Sequence, residues 1–180
     1  MITLNDIKKI DKNKMYEVYD NWPTIAKEIY NSKLPEIQFK KCSHIVFVGM
    51  GGSGALGDIF LSILSKTDIH VGVVKGYNLP KTVNENTLVV AISISGNTDE
   101  TNTVLQNANK LNCKLIAFSS GGKMEKFCKN NNIEFRKIKK FHSPRASFPS
   151  FLFSILNVLS PILPIQEKDV QETLDVLEDV

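Results

Sequence analysis

The chain has 180 residues, of which 42% are hydrophobic and 23% charged, a composition typical of one ordinary globular domain with a sizeable core. Its net charge of +3 combines an acidic tail, residues 167–180 with a net charge of −5, and a mildly basic body, residues 1–166 with +8. The basic residues are scattered and almost all are lysine, without interleaved aromatic side chains. The pattern therefore favours an anionic small ligand as partner and disfavours nucleic acid.

The beginning of the chain has no basic stretch followed by an apolar one, so no signal peptide is predicted. The three cysteines, Cys42, Cys113 and Cys128, are an odd number without the spacing of a metal site. Unpaired thiols in a reducing compartment are the simplest interpretation, and we expect a cytoplasmic protein without a bound metal.

Residues 1–40 are predicted to form an N-terminal helical segment. Apolar side chains recur at roughly helical spacing over residues 3–31. Pro23 is expected to divide this stretch into two helices, because proline interrupts the backbone hydrogen bonds of a helix interior.

Residues 41–165 are predicted to form the main domain, in which strands alternate with helices. The strands are mostly apolar on both faces, which is typical of a parallel sheet covered by helices on both sides. We therefore expect an α/β fold, a doubly wound three-layer α/β/α sandwich with a five-stranded parallel sheet, Rossmann-like or flavodoxin-like. The predicted strands cover residues 45–49, 69–74, 87–94, 114–120 and 133–138, and the predicted helices cover residues 54–65, 98–111 and 123–130.

The stretch 146–165 is apolar almost all round, but its prolines and polar residues argue against a membrane span. It is interpreted either as a buried core helix or as a helix whose outer face is covered by a second domain or subunit. The second interpretation leads us to expect a homodimer. Residues 166–180 are predicted to form an acidic helical linker or tail, with Val170, Leu174 and Leu177 on one face.

Three polar, glycine-rich segments follow predicted strands: GMGGSG after the first, SISGNT after the third and SSGG after the fourth. In doubly wound sheets, ligands bind outside the carboxyl ends of the strands. All three segments should therefore lie at one edge of the sheet, where we expect the ligand site.

The first segment, residues 49–54, matches the G-x-G-x-x-G pattern of dinucleotide-binding loops. That pattern also needs an acidic residue about 20 positions further on, at the end of the second strand, to bind the ribose. This chain has Val74, Lys75 and Gly76 there, and Asp68 precedes the strand. A nicotinamide cofactor is therefore disfavoured, although Lys75 could accommodate the 2′-phosphate of NADP.

The segment after the third strand favours a phosphate site. Ser93 and Ser95 are two positions apart, so their hydroxyls should project from the same side as the strand ends. Gly96 allows a tight turn. Asn97 or Thr98 should then cap a helix whose N–H groups and dipole attract an anion.

Ser53, in the first segment, adds a hydroxyl at a second helix start. Hydroxyls and helix N–H groups can bind a phosphate dianion without an arginine. The phosphate interpretation requires Asp99 and Glu100, in the first turn of the following helix, to point away from the ligand. The alternative interpretation is that the serines only cap their helices.

GMGGSGALGD (49–58) and SISGNTDET (93–101) together resemble the sugar isomerase (SIS) domain, and SSGGK (119–123) with SPRAS (143–147) narrows the resemblance. The set is similar to the N-terminal half of the bifunctional phosphoglucose/phosphomannose isomerases, in the same order and from about residue 40 to 160. Ile94 stands where that family often has tyrosine, and Asp99 where it often has glutamate. Neither change affects a phosphate-binding group.

The resemblance implies phosphorylated hexoses as substrates (glucose 6-phosphate, fructose 6-phosphate and mannose 6-phosphate), and no cofactor is expected. It implies that Arg145 stabilises the enediolate formed during isomerisation, a role that suits a planar and permanently charged donor. It also implies a set of residues that bind the phosphate and the near part of the sugar: Gly51, Gly52, Ser53, Ser93, Ser95 and Thr98.

The same resemblance implies that the base and the ring-opening groups, a glutamate, a histidine and a lysine, belong to a second SIS domain. The chain ends at Val180, where the connection between the two domains would lie, so it is expected to be about half of an enzyme. Two alternatives stay open: a complete single-domain phosphosugar isomerase acting as an oligomer, and a non-catalytic phosphosugar-sensing module. His142 is the only plausible local acid or base, although a simple loop histidine explains it better. His44 and His70 lie at the starts of strands, the wrong edge.

Overall fold

The computed structural model describes residues 2–39 and 42–178. Its centre is a five-stranded sheet in which all neighbouring strands are parallel, in the order β2-β1-β3-β4-β5. This confirms the expected doubly wound α/β fold, in its flavodoxin-like strand order. The strands are β1 His44–Val48, β2 His70–Val74, β3 Thr87–Ser93, β4 Lys114–Ser119 and β5 Glu134–Lys137.

Helices cover both faces of the sheet. Along β1, Ile45 and Phe47 belong to the core on one face, while Val46 and Val48 belong to the core on the other. The helices in the described residues are α1 Leu4–Ile10, α2 Met15–Asp20, α3 Trp22–Asn31, α4 Gly52–Leu64, α5 Asp99–Ala108, α6 Gly122–Asn130, α7 Phe148–Leu159 and α8 Glu167–Glu178. Helices α4 and α7 pack in the first core and α5 and α6 in the second, which gives the expected three layers.

The N-terminal segment divides next to Pro23, as predicted, since α2 ends at Asp20 and α3 begins at Trp22. It contains three helices, however, so the predicted number of two was wrong. Pro23 lies in the first turn of α3. Its missing N–H has no intrahelical partner at that position in any helix, so the proline starts α3 without breaking a hydrogen bond. A further break falls between α1 and α2, where Lys14 has a positive φ of 56° and Asp11 accepts a hydrogen bond from the Tyr16 N–H at 2.8 Å.

Helix α7 is a buried core helix, as the first interpretation of residues 146–165 predicted. Its outer side is covered by α3 and α8 of the same chain, with Ala26, Phe153, Val170 and Leu174 forming a small core. The Asn157 side chain of α7 also donates hydrogen bonds to the last carbonyls of α3, at 3.2 and 2.7 Å. A second subunit is therefore not what covers this segment, because the chain's own helices do.

In the described residues, every helix is too short or too polar to cross a bilayer. The longest described helix, α4, has 13 residues, whereas a transmembrane helix needs about 20. The three cysteines are unpaired in the structure, as predicted.

Candidate functional site

A cavity of about 450 Å³ opens at the carboxyl ends of β1 and β3. These two strands lie side by side in the sheet, and the chain leaves them in opposite directions, which creates the crevice where doubly wound folds bind ligands. The volume lies within the range of roughly 300–1,000 Å³ that small-molecule sites occupy. The lining residues are Trp22, Met50, Gly52, Ser53, Ile94, Ser95, Thr98, Pro144, Arg145 and Phe148.

The structure brings five of the seven predicted site residues to this cavity: Gly52, Ser53, Ser95, Thr98 and Arg145. They come from three separate parts of the chain, and the carboxyl edge of the sheet unites them. The other two, Gly51 and Ser93, lie next to lining residues in sequence but do not themselves line the cavity.

The loop between β1 and α4 presents backbone to the cavity. Gly51 has a φ of +54°, a conformation that residues with a Cβ rarely adopt. A Cβ placed on Gly52 would meet no atom within 4 Å. The backbone of this loop is therefore open to close approach by a ligand, and no side chain caps the N-terminus of α4.

The loop between β3 and α5 uses its two serines differently. Ser93 is 1% exposed; its hydroxyl accepts the Gly96 N–H at 3.1 Å and lies 2.9 Å from the Thr98 hydroxyl. Ser95 is exposed and lines the cavity. Ser93 thus supports the loop and orients Thr98, while Ser95 faces the ligand space.

The expectation that Asn97 or Thr98 caps α5 with its side chain was wrong. Thr98 is the residue before the helix, but its hydroxyl is paired with Ser93 and makes no capping bond. The Asn97 carboxamide instead accepts the Lys123 N–H in the first turn of α6, at 3.0 Å. The N-terminus of α5 is left without a side-chain cap, which keeps its N–H groups and dipole available to an anion.

The loop between β4 and α6 packs against the β3–α5 loop and supports it. A Cβ on Gly96 would lie only 1.7 Å from the Gly121 carbonyl oxygen, so the two loops touch backbone to backbone. The Ser120 hydroxyl donates to the Ile94 carbonyl at 2.6 Å. The segment SSGG therefore shapes the β3–α5 loop and does not itself line the cavity.

The two acids in the first turn of α5 point away from the cavity, as a phosphate site requires. Asp99 forms an ion pair with Lys123 at 3.1 Å. Glu100 lies near Tyr77, and its negative charge raises the pKa of the Tyr77 phenol. Neither carboxylate is among the lining residues, so neither opposes an anionic ligand there at short range.

Arg145 begins a turn of 3₁₀ helix, Arg145–Ser147, directly before α7. Its side chain is exposed, and within the described part of the chain it makes no ion pair. It is the one cationic side chain among the described lining residues. The second arginine, Arg136, is occupied by the Pro35 carbonyl and Glu134.

The three histidines and Lys75 lie outside the cavity. His44 and His70 lie at the amino ends of β1 and β2, as predicted. His142 is an exposed loop residue with a positive φ of 32°. Lys75 pairs with Asp58 at 2.6 Å and does not line the cavity, so the structure gives the NADP hypothesis no support.

Sequence reasoning missed the apolar wall of the cavity. Met50, Ile94, Pro144 and Phe148 are neighbours of predicted site residues, and proximity in sequence could have suggested them. Trp22 comes from the N-terminal segment, 124 positions from its hydrogen-bond partner Ala146. The only available signal was that it is the single tryptophan of the chain, directly before a proline.

Comparison with known proteins agrees with this architecture. The model of the SIS domain family matches residues 38–158. The bifunctional phosphoglucose/phosphomannose isomerase of Caldicellulosiruptor bescii is 33% identical over 162 residues, which are 86% of this chain and 47% of that protein. The protein of the same name from Thermoplasma acidophilum is 34% identical over 138 residues, 77% of this chain and 42% of that protein.

Among solved structures, tagatose-6-phosphate ketose/aldose isomerase from Escherichia coli aligns with a TM-score of 0.58 and 18% identity, over 92% of this chain and 53% of that one. The C-terminal domain of glucosamine-fructose-6-phosphate aminotransferase from Francisella tularensis aligns with a TM-score of 0.61 and 17% identity, over 92% and 52%. At these identities the likeness concerns the fold. The chain spans about half the length of the curated relatives it matches. Since the family model covers most of the sequence, the chain belongs to the SIS domain family.

Proposed function

We propose that this chain is the phosphosugar-binding domain of an aldose–ketose isomerase that acts on glucose 6-phosphate, mannose 6-phosphate and fructose 6-phosphate. The observation that carries the proposal is the cavity at the carboxyl ends of β1 and β3. There, hydroxyls from two loops meet an uncapped helix N-terminus and one unpaired arginine. The names of the isomerase relatives supply the glucose and mannose phosphates and the type of reaction. Fructose 6-phosphate is the ketose that isomerisation of either would form.

The phosphate would be bound by the group of Ser53, Ser95 and Thr98 with the N-terminal turn of α5. Hydroxyls and backbone N–H groups donate to a phosphate dianion, and the helix dipole adds favourable charge. Gly52 lets the ligand approach the backbone, since no side chain fills the space above it. Ser93 acts indirectly by orienting Thr98.

Arg145 would stabilise the enediolate that isomerisation forms. Removing the C2 proton of an aldose, or a C1 proton of a ketose, places negative charge on O1 and O2. A planar and permanently charged donor suits this developing charge. The same enediolate arises from glucose 6-phosphate and from mannose 6-phosphate, because C2 becomes planar, and one site can therefore serve both substrates.

The base that moves the proton is not among the described cavity residues, since none of them is a carboxylate or a histidine. A second domain, of the kind that relatives of twice this length can hold, or a second copy of the chain would supply it. A positioned base contributes about 10²–10⁴-fold to such reactions. We therefore expect the 180-residue chain to bind phosphosugars weakly and to interconvert glucose 6-phosphate and fructose 6-phosphate near background.

Thermal unfolding with and without ligand tests the binding part of the proposal. Glucose 6-phosphate and fructose 6-phosphate should raise the melting temperature, whereas unphosphorylated glucose should not. Equal shifts from glucose and its phosphate would contradict a phosphosugar site. A clear shift with NADP would favour the dinucleotide hypothesis instead.

A coupled isomerase assay on the purified chain tests the catalytic part. The expected result is turnover near background. Robust turnover that Arg145→Ala or His142→Ala abolishes would instead establish a complete single-domain isomerase.

We also predict a homodimer and a cytoplasmic location. The apolar stretch that suggested the dimer is covered by α3 and α8 within one chain, so a dimer would use a different surface.

A further inference from the structure

We propose that Trp22 is a positioning residue for Arg145: its indole N–H holds the turn that carries the arginine at the rim of the cavity. The inference rests on the proposed function, in which Arg145 contacts the sugar. It adds a part of the chain, the N-terminal helical segment, that neither the motifs nor the proposed phosphate site involve.

The contact that carries the inference joins two distant parts of the sequence. Trp22 Nε1 donates a hydrogen bond of 2.9 Å to the carbonyl oxygen of Ala146, the residue after Arg145. Trp22 and Arg145 both line the cavity, while Ala146 is fully buried behind it. The bond therefore connects one wall of the cavity to the backbone of the other.

Trp22 is itself held in a defined position. It is the first residue of α3, whose Ile25 and Ala26 are buried against the rest of the domain. Its ring packs against Tyr19, with the two ring centroids 4.7 Å apart. An indole fixed by a packed helix and a neighbouring ring loses little further entropy when it holds a second element, which favours a positioning role.

Arg145 needs such support from its backbone. The guanidinium has no hydrogen-bond partner among the described residues, so its location depends on the turn from which it projects. That turn is organised internally by the Ser147 hydroxyl, which lies 2.9 Å from the Phe141 carbonyl and 2.8 Å from the Ser143 carbonyl. The Trp22 bond ties this locally organised turn to α3.

The tryptophan contributes two separable properties. The N–H is used by Ala146, so only the apolar ring is presented to the cavity, next to Phe148. Phenylalanine would keep an aromatic wall and lose the donor. Trp22→Phe therefore isolates the positioning bond from the wall.

Amide hydrogen exchange without ligand tests the link itself. In Trp22→Phe, the amides of residues 141, 146 and 147, which are bonded within the turn, should exchange roughly three- to tenfold faster, the loss expected for one hydrogen bond. The matched control is Asn157→Ala, which removes the bonds at the opposite end of α3. It should leave exchange in the turn unchanged. Unchanged exchange in Trp22→Phe would overturn the inference.

A double-mutant cycle tests whether Trp22 acts through Arg145. Trp22→Phe should weaken binding of fructose 6-phosphate by roughly three- to tenfold and leave binding of inorganic phosphate unchanged. In an Arg145→Ala background, the same substitution should have no further effect on fructose 6-phosphate. Additive effects would show that Trp22 affects binding independently of Arg145, and an equal loss of phosphate binding would show a general structural effect. Either result would overturn the inference.

The wild-type chain offers a measurement that needs no variant, because it contains a single tryptophan. Its one indole N–H signal in an NMR spectrum should be protected from solvent exchange, and fructose 6-phosphate should shift it. An unprotected signal would contradict the bond to Ala146.

If fructose 6-phosphate fails to bind at all, the proposed function fails, while the exchange experiments still decide whether Trp22 holds the turn.

Discussion

The two edges of the sheet carry similar polar residues but leave them in opposite states. At the amino edge, His44 is 6% exposed, and its Nδ1 lies 3.1 Å from the Thr87 hydroxyl. Thr87 in turn accepts the Asn84 N–H at 2.9 Å. At the carboxyl edge, Ser95 and Arg145 face an open cavity instead. Satisfied polar groups thus close the amino edge at His44, whereas the carboxyl edge combines a satisfied pair, Ser93 and Thr98, with side chains that line a cavity.

The difference follows from topology more than from residue type. In a parallel sheet covered by helices, the helix N-termini lie at the carboxyl edge and the N–H dipoles point there. The reversal of strand order between β1 and β3 separates the following loops and leaves a crevice. The amino edge holds the C-terminal ends of the helices, which present carbonyl groups and not N–H groups. There, the Thr87 side chain pairs with His44 and with the Asn84 N–H. The same type of side chain therefore differs in role with its place: Ser93 is buried and supports its loop, whereas Ser95, two positions on, lines the cavity.

The largest expected effect is a loss of stability caused by a steric clash between two loops at the carboxyl edge. Gly96→Ala would place a Cβ 1.7 Å from the Gly121 carbonyl oxygen at a φ of +69°, so one of the two loops must move. We expect the free energy of unfolding to fall by more than about 3 kcal/mol, as for other severe backbone clashes. Urea denaturation measures it.

Gly52→Ala is the matched control, because its Cβ would meet no atom within 4 Å. Its stability should stay within about 0.5 kcal/mol of the wild type, while the added methyl group should weaken phosphosugar binding. A Gly96→Ala protein as stable as the wild type would contradict the tight contact between the two loops.

A smaller effect separates the two serines of the β3–α5 loop. Ser93→Ala removes the hydroxyl that accepts the Gly96 N–H and pairs with Thr98, while the Gly96 N–H keeps its bond to the Ser93 carbonyl at 3.0 Å. It should cost about 0.5–1.5 kcal/mol of stability. Ser95→Ala, at an exposed position, should leave stability nearly unchanged and weaken binding of fructose 6-phosphate by about tenfold. Denaturation and calorimetric titration of both variants give the comparison. Equal losses of stability would show that both serines are structural.

The smallest effect is a pH dependence from the amino edge. Burial, and then the neighbouring His70 ring, lower the pKa of His44 from its ordinary value near 6.5. The unfolded chain therefore binds more protons at this residue below about pH 6.5, so stability should fall as the pH drops through that value. It should level off once the pH is below the lowered pKa.

Urea denaturation at pH 7.5 and pH 5.5 measures this effect. His44→Gln should reduce the difference in stability between the two pH values, whereas His70→Gln, at an exposed position, should retain most of it. A wild-type protein that is more stable at pH 5.5 would contradict the assignment to a buried neutral His44.

The sequence predicted the strands and most main-domain helices to within three residues at each end, because alternation of apolar and polar stretches is a local property. The apolar stretch 146–165 is the exception, because its helix α7 ends at Leu159. In the N-terminal segment it placed a helix boundary at Pro23 but missed the further break between α1 and α2. A proline marks a helix boundary in the sequence, because it fits a first turn and not an interior. The break between α1 and α2 is made by Lys14 with a φ of 56°, and neither glycine nor proline signals it.

For the candidate site, the sequence by itself determined the chemistry: Ser53, Ser95, Thr98 and Arg145 lie in short motifs whose residue types suit an anionic sugar. Only the tertiary structure decided how each group is used. It turned Ser93 inward and directed the Thr98 hydroxyl to Ser93 and away from the helix. It also brought Trp22 to Ala146 across 124 positions of sequence. Motifs specify groups that are neighbours along the chain, whereas hydrogen-bond partners between distant segments are chosen by the packing of helices on the sheet.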